Sequence, residues 1–260
     1  MTASVKGGVG KSTVAINTAC ALAKTGAKVG LFDADIYGPS VPTMSKTVDS
    51  PLMSDEHGNF LPVETHGIHM VSLGHAVDPN TAMMWKGPLV GKMIGDLLNQ
   101  ALWPELDYLI LDTPPGTGDV QMAIASTIPV DGAIVVTSPQ QVAVADVIRN
   151  VDMFKSMKIP MLGIVQNFDG FVCGKCKTLT KIFPGNGAEM MSQKFNLDIL
   201  GSLPIDPSIA QAGDSGVPAV ISSPDSIHTK VFMDIAAQII KRVPKTTPKY
   251  PVRRPNETNK

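Results

Sequence analysis

A glycine-rich segment close to the start of the chain constrains its fold more than any other feature. The segment is Lys6-Gly7-Gly8-Val9-Gly10-Lys11-Ser12-Thr13, and it lies between a short apolar run and a long stretch with helical periodicity. Glycines at such a turn let backbone N–H groups point inward around phosphate oxygens, and the helix N-terminus that follows adds partial positive charge. The order strand, glycine-rich turn, helix therefore predicts a phosphate-binding loop at the edge of an α/β sheet.

The polar residues of this loop have separate expected roles. Lys11 is expected to reach the β- and γ-phosphates, Ser12 to bind Mg²⁺, and Thr13 to contact the α-phosphate. The segment departs from the general G-x-x-x-x-G-K-S/T pattern, because Val5 stands where the first glycine would fall and Lys6 follows it. Since valine is β-branched, we expect an ordinary extended backbone at Val5.

Short apolar runs alternate with helical patterns along most of the chain. Strands are predicted at Thr2–Val5, Val29–Asp33, His69–Leu73, Tyr108–Asp112, Ala133–Thr137, Met161–Gln166 and Ile199–Leu203. Helices are predicted at Lys11–Thr25, Pro88–Leu102, Asp119–Ile128, Val142–Met157, Ala188–Asn196 and Ser226–Val243. This alternation predicts one α/β domain over residues 1–243, a mostly parallel twisted sheet with helices on both faces. Right-handed crossovers place the carboxyl ends of the strands at one edge, and residues 38–68 are expected to form a long loop near it.

The charge of the chain is unevenly distributed. Its 22 basic and 23 acidic residues give a net charge of −1. Residues 241–260 hold seven basic residues and one acidic residue, so the rest of the chain is acidic. The tail at 244–260 contains four prolines and little apolar content, which predicts disorder.

Composition also limits the classes of partner. Aromatic residues make up 5%, which disfavours a stacking surface for single-stranded nucleic acid, so we expect no nucleic-acid partner. No apolar run approaches the ~20 residues of a membrane span, so we expect no stable membrane insertion. Three cysteines cannot build a disulfide framework, which favours a reducing compartment.

Acidic and amide side chains follow several of the predicted strands. Asp33 and Asp35 stand two residues apart and are expected to face one site. Asp112 ends an apolar strand that is typical of a Walker B strand, where it would hold Mg²⁺ through water, and residues 113–119 would form switch II. Asn167 ends a later strand, and its amide can donate to and accept from an adenine edge. Leu203–Asp206 ends the next strand and resembles a known second base-contacting loop, so Asp206 is a weaker candidate for the same base.

Cys173 and Cys176 form a C-x-x-C pair in a predicted loop after the Asn167 strand. Such a pair can bind zinc, bind an iron–sulfur cluster or cycle as a redox dithiol. Two thiolates are half of a four-coordinate site, and a two-fold axis would supply the other half. Lys175 and Lys177 would favour the thiolate or offset cluster charge, whereas Cys20 is predicted to be a small core residue.

The loop pattern K-G-G-x-G-K-S-T resembles the deviant Walker A motif of a superfamily of P-loop ATPases. In that superfamily the extra lysine, here Lys6, reaches the phosphates of a partner subunit, and the acid corresponding to Asp35 positions the attacking water. Together with the C-x-x-C pair, the resemblance narrows to the Mrp-type iron–sulfur cluster carriers. The matching segments are Lys6–Thr13, Asp33–Ser40, Met84–Pro88, Asp112–Gln121 and Phe171–Cys176.

This resemblance implies an ATPase that binds ATP and Mg²⁺ and carries a 4Fe–4S cluster, which Cys173 and Cys176 would share across a homodimer and pass to apo-proteins. The chain is most similar to the mitochondrial branch that serves respiratory complex I, which implies the mitochondrial matrix, with the cytoplasm as the alternative. No Arg-rich presequence is visible in the 260 residues. Two other functions stay open here: a positioning ATPase of the partition or septum-site type, and a zinc-bridged adaptor dimer.

Overall fold

The computed structural model describes residues 1–35, 38–76, 87–116, 118–140, 142–173, 175–176 and 178–244. Over these ranges the strands are β1 (Thr2–Ala3), β2 (Val29–Asp33), β3 (Val63–Thr65), β4 (Ile68–Ser72), β5 (Tyr108–Asp112), β6 (Ala133–Thr137), β7 (Met161–Val172), β8 (Leu179–Thr180) and β9 (Ile199–Ile205). The helices are α1 (Lys11–Lys24), α2 (Val41–Met44), α3 (Leu73–Ala76), α4 (Gly87–Gln100), α5 (Asp119–Thr127), α6 (Val142–Ser156), α7 (Gly187–Phe195), α8 (Pro207–Asp214), α9 (Ala219–Ser222) and α10 (Ile227–Arg242).

The strands form one sheet in the order β3-β4-β2-β5-β1-β6-β7-β8, and β9 pairs with β7. Neighbouring strands are parallel except where β3 meets β4 and where β7 meets β8. The predicted α/β fold with a mostly parallel sheet is therefore confirmed. Because β1 lies between β5 and β6, the glycine-rich loop that follows β1 starts at the middle of the carboxyl edge, beside the end of β5.

Two apolar layers cover the two faces of this sheet. Alternate strand residues point to opposite faces, so Leu31 packs on the α1 and α10 side and Phe32 packs on the opposite side. The two sides are closed by the fully buried rings of Phe232 from α10 and Phe154 from α6. This double burial explains why the central strands have nearly continuous apolar sequences.

Several boundaries differ from the sequence-based expectations. The strand predicted at Met161–Gln166 continues to Val172, because its last part pairs with β8 as an antiparallel hairpin. Residues 38–68 contain α2 and β3, short elements that the sequence pattern did not predict. The helix predicted at Ser226–Val243 is observed as Ile227–Arg242; Ile227 in its first turn is 53% exposed, whereas Ile235 is fully buried.

Some of the predicted features lie outside the described residues: the tail from 245 to 260, Lys177, and parts of the family-like segments at 36–37, 84–86 and 117. Across the ranges given above, no helix combines the length and apolar character that a membrane crossing requires.

Candidate functional site

A wide cleft lies at the carboxyl edge of the sheet. It has a volume of about 690 Å³, a size typical of small-molecule sites, which range over roughly 300–1,000 Å³. Its walls are the glycine-rich loop, Asp35, the segment 38–44, the end of β7 and the turn from β9 into α8. The topology thus brings the phosphate loop, a strand-end acid and Asn167 together, as the sequence predicted.

Backbone conformation explains the glycines of the loop. Gly8 and Gly10 have φ angles of 79° and 83°, in the left-handed region that disfavours side chains. A Cβ atom on Gly10 would also collide with the side-chain amide of Asn167. Val5 is not among the residues with positive φ, but it lies in a bend after β1 ends at Ala3, so the extended backbone expected there and the last two residues of the strand predicted at Thr2–Val5 are not confirmed.

Lys11 is the centre of the charged part of the site. Its side chain is 6% exposed, and Nζ donates to Asp112 Oδ1 at 2.6 Å and to Ser12 Oγ at 3.2 Å. Asp35 Oδ2 lies 3.8 Å from the same nitrogen. Asp35 and Asp112 are buried, so they interact with this lysine at short range and with little solvent screening.

Asp33 is a third carboxyl in the same cluster. Its oxygens accept hydrogen bonds from the Asp35 N–H at 3.0 Å and from the Ser72 hydroxyl at 2.8 Å. Burial, followed by the negative charge of Asp112, raises the pKa of Asp33 from 3.8 to about 7. Asp33 therefore contacts the other charged residues through the Asp35 backbone, and it is not among the residues that line the cleft.

The donor set around Lys11 fits a hard divalent cation. Asp112 Oδ2 is fully buried and has no hydrogen-bond partner among the described residues, while the Ser12 hydroxyl lies 3.2 Å from Lys11 Nζ. Carboxylate and hydroxyl oxygens are the ligands that Mg²⁺ prefers, usually with water and phosphate oxygens completing the shell. The assignment of Ser12 and Asp112 to Mg²⁺ thus agrees with the chemistry of these atoms.

Gln121 is a structural residue of the site whose role the sequence did not reveal. It is 1% exposed, and its amide nitrogen donates to the carbonyls of Pro114 and Gly116 at 2.8 and 3.2 Å. Its amide oxygen accepts from the Gly118 N–H at 3.1 Å. One side chain thus fixes the turn after Asp112 to the start of α5, and a Gln three residues after a glycine at a helix start was the available signal.

The two base-side candidates have different environments. Asn167 Nδ2 donates to the Val9 carbonyl at 2.9 Å, so its side chain crosses from β7 to the phosphate loop. Asp206 caps α8 by accepting from the Ser208 N–H at 2.7 Å, and it lies 3.7 Å from the buried His228. Both line the cleft, but Asp206 already has a structural role.

Cys173 and Cys176 lie at the tip of the hairpin formed by β7 and β8, not in a loop after a strand ending at Gln166. The Cys173 N–H donates to the Thr178 carbonyl at 3.0 Å. Cys176 is exposed, and hydrogen bonds from Thr178 and then from the Cys173 side chain lower the pKa of its thiol to about 7. Cys20 is fully buried as predicted, and burial raises the pKa of its thiol to about 12.

The cysteine pair is separate from the nucleotide cleft. Neither Cys173 nor Cys176 lines that cleft. The hairpin around them presents the exposed apolar side chains of Phe171, Leu179 and Ile182, which are 38–50% exposed. Exposed apolar groups of this size beside reactive thiols are typical of a surface that contacts another protein.

A parallel sheet with a glycine-rich loop after its central strand, and a buried lysine between strand-end acids, defines a nucleotide-binding P-loop NTPase. Within that class, the chain belongs to the family whose model is described as ParA: NUBPL iron-transfer P-loop NTPase, which matches residues 1–240. This confirms the resemblance to iron–sulfur cluster carriers that the sequence motifs indicated.

The relatives of known function that the chain resembles are named as iron–sulfur cluster carrier or transfer proteins. The chain is 43% identical over 236 residues to the "iron-sulfur cluster carrier protein" of Salmonella typhimurium, covering 91% of this chain and 64% of that protein. It is 42% identical over 243 residues to the "iron-sulfur cluster transfer protein NUBPL" of Mus musculus, covering 93% and 76%. The chain therefore spans less than two-thirds of the length of the bacterial relative.

Solved structures confirm the fold. The nucleotide-binding protein from Archaeoglobus fulgidus, in complex with ADP, has a TM-score of 0.73 and 34% identity, covering 82% of this chain and 84% of that one. The cell-division ATPase MinD from Pyrococcus furiosus has a TM-score of 0.69 at 23% identity, covering 92% and 96%. At this identity, the similarity to MinD is evidence for the fold only.

Proposed function

We propose that this protein is an ATP-dependent carrier that assembles a 4Fe–4S cluster between two copies of the chain and transfers it to apo-proteins. The observation that carries the proposal is the combination on one sheet of a P-loop cleft with a C-x-x-C hairpin. Both features occur in a chain whose relatives are named iron–sulfur carriers and transfer proteins.

In this proposal the cleft binds ATP. Lys6, Gly7, Gly8, Val9, Gly10, Lys11, Ser12 and Thr13 would surround the phosphates, and Asn167 would contact the base. The ADP bound to the related archaeal protein supports this choice of ligand. Mg²⁺, held by Ser12 and Asp112, would neutralise phosphate charge when bound.

The charged residues of the cleft suit slow hydrolysis. Asp35 lies at the cleft and would orient the attacking water and accept its proton, while Lys11 would stabilise charge on the phosphoryl oxygens. Lys6 is exposed on the loop, which suits contact with the phosphates of a second subunit. Lys6, Lys11 and Asp35 are thus the proposed catalytic residues.

The cysteine pair would bind the cluster as cargo. Cys173 and Cys176 supply two thiolates, and the same pair from a second copy would complete the four ligands of a 4Fe–4S cluster. Exposed Phe171, Leu179 and Ile182 would be covered in that homodimer. Lys175 and Lys181 on the same hairpin would offset the negative charge of the thiolate-bound cluster.

Anaerobic reconstitution with iron and sulfide tests the cluster assignment. Wild type is expected to gain a broad visible absorption band and about four iron atoms per dimer. The Cys173→Ser and Cys176→Ser variants should lose the band, and Cys20→Ser, which changes a buried thiol, should keep it. Uptake of zinc without a cluster band would instead support the zinc-bridged adaptor.

Hydrolysis assays test the nucleotide half separately. Lys11→Ala and Asp35→Ala are each expected to lower the ATPase rate by about 100-fold or more. Lys28→Ala changes an exposed lysine outside the cleft and should retain the wild-type rate. Equal rates in all three variants would refute the catalytic assignment.

Recipient and compartment follow from the resemblance to the mitochondrial branch. We propose apo-subunits of respiratory complex I as recipients and the mitochondrial matrix as the location. The bacterial carriers among the relatives make the cytoplasm the competing location. Transfer assays that compare an apo-subunit of complex I with an apo-protein of another pathway would test the proposed recipient, and faster transfer to the complex I subunit is the expected result.

A further inference from the structure

β7 carries Asn167 and ends at Val172, directly before Cys173, and its pairing with β9 is irregular between Asn167 and Phe171. On β9, Leu203 and Ile205 are two residues apart, but their partners on β7, Asn167 and Phe171, are four residues apart. The additional residues form a bulge. Phe168 lies in that bulge with a φ of 62°, a left-handed conformation that is strained for a residue with a side chain.

The side-chain amide of Asn167 makes two hydrogen bonds, one within the bulge and one to the phosphate loop. Its oxygen accepts from the Phe168 N–H at 3.0 Å, and its nitrogen donates to the Val9 carbonyl of the phosphate loop at 2.9 Å. These partners fix the orientation of the amide, because an N–H requires an acceptor and a carbonyl requires a donor. One amide therefore joins the phosphate loop to the strained residue of β7.

Beyond the bulge the strand is continuous with the cysteine hairpin. Phe171 and Val172 pair with β8, and the Cys173 N–H continues the ladder to the Thr178 carbonyl. Gly170 packs closely on this partner strand, since an added Cβ would lie 2.7 Å from the Thr180 carbonyl oxygen. A change in backbone direction at Phe168 would therefore be passed to the cysteines by a rigid ladder.

We infer that Asn167 and Phe168 form a positioning element that couples the occupancy of the nucleotide cleft to the geometry of the cysteine hairpin. The inference rests on the proposed function, since it needs a nucleotide at Val9 and Asn167. An adenine amino group that donates to the Asn167 amide oxygen competes with the Phe168 N–H for that acceptor. The Phe168 backbone then loses the acceptor that holds it in the left-handed conformation, and the hairpin moves relative to the sheet.

The test measures thiol reactivity, so that it does not depend on cluster binding. Cluster-free protein is alkylated with iodoacetamide, with and without saturating Mg²⁺ and a non-hydrolysable ATP analogue. Modification of Cys173 and Cys176 is followed by mass spectrometry, and nucleotide affinity is measured for every variant. In wild type, nucleotide is expected to change the alkylation rate by about fivefold or more, the lower end of typical couplings.

Two substitutions at Phe168 distinguish the effect of the backbone conformation from the effect of the aromatic ring. Phe168→Val and Phe168→Gly both remove the ring, but only glycine accepts a positive φ without strain. Phe168→Val should reduce the nucleotide effect to a ratio near one, and Phe168→Gly should retain it. Lys158→Val places valine at another positive φ, 56°, in the turn before β7, and should behave as wild type.

Three results would overturn the inference. The first is nucleotide binding by wild type without a change in alkylation rate, which would leave the proposed function intact. The second is an equal nucleotide effect in Phe168→Val and Phe168→Gly, which would show that the backbone conformation at residue 168 does not carry the coupling. The third is failure of wild type to bind nucleotide, which would refute the proposed function and the coupling together.

Discussion

Replacing Lys11 with methionine removes the cation that pairs with the buried acids of the cleft. The Lys11–Asp112 pair spans 2.6 Å between side chains that are 6% and 0% exposed. Removing one partner of a buried pair costs about 3–5 kcal/mol, because the remaining charge is left uncompensated. The cost has an upper limit, because an unpaired carboxylate can take up a proton instead of staying charged. For an aspartate with the ordinary pKa, protonation at pH 7 costs about 4 kcal/mol. We therefore expect Lys11→Met to lower the free energy of unfolding by about 3–4 kcal/mol.

The matched control is Lys28→Met. Lys28 and Glu105 form a pair at 3.0 Å whose side chains are 63% and 73% exposed, and such surface pairs contribute below about 1 kcal/mol. Both variants replace a lysine with methionine, so they differ mainly in the burial of the pair. Urea unfolding in buffer free of nucleotide and divalent metal would measure the two free energies.

The dependence on pH makes this prediction sharper. Without Lys11, the buried acids lose a nearby cation that favours their charged forms, so the folded variant binds protons more readily than the folded wild type. The deficit should therefore shrink below pH 7 by about 1.4 kcal/mol per pH unit for each such carboxyl. Equal destabilisation of Lys11→Met and Lys28→Met, or a deficit that stays constant from pH 7 to pH 5, would refute the reasoning.

Three further changes probe separate parts of the molecule. Asp33→Asn removes a carboxyl whose pKa in the folded protein, about 7, exceeds its ordinary value of 3.8. Because a raised folded pKa lowers the free energy of unfolding as pH rises between these values, the variant should become more stable relative to wild type over that range. Chemical unfolding at a series of pH values measures this, and a difference that does not change with pH would contradict it. Gly10→Ala should weaken nucleotide binding by about tenfold or more, whereas Gly26→Ala, at a φ of 87° with open space around it, should leave the measured affinity unchanged. Ile235→Ala should cost about 2–5 kcal/mol in chemical unfolding, and the exposed Ile227→Ala should stay within about 0.5 kcal/mol; equal costs would contradict the burial of this helix.

The sequence was sufficient for the central sheet because its strands are buried on both faces. Val29–Asp33, Tyr108–Asp112 and Ala133–Thr137 are apolar runs bounded by turn residues, and the structure has these strands with the same limits. The meeting of Lys11, Asp35 and Asp112 in space also followed from sequence, since parallel strands end at one edge. The hydrogen bonds among these side chains required the structure.

The features that sequence did not predict depend on individual side-chain contacts. Phenylalanine favours strands, so a positive φ at Phe168 was not expected; in the structure this φ accompanies a bulge in β7, where the Asn167 amide oxygen accepts the Phe168 N–H. The extension of β7 to Val172 likewise depends on pairing with the two residues of β8, a run too short to be recognised by alternation. Local propensity does not reveal a backbone conformation that accompanies a single side-chain bond or pairing with a very short strand.

The charges of the two sites differ in a way that suits different ligands. Around Lys11, the carboxyls of Asp33, Asp35 and Asp112 outnumber the single lysine, so a nucleotide bearing only negative charge would meet repulsion there. A cation that enters with the phosphates removes that repulsion, and the unpartnered Asp112 Oδ2 gives it a ligand. The hairpin from Phe171 to Ile182 holds lysines and no acid, so the thiolates and the cluster proposed to bind there would meet the opposite field. Because β7 joins both regions, the ligand of one site can influence the other through the backbone without charge passing between them.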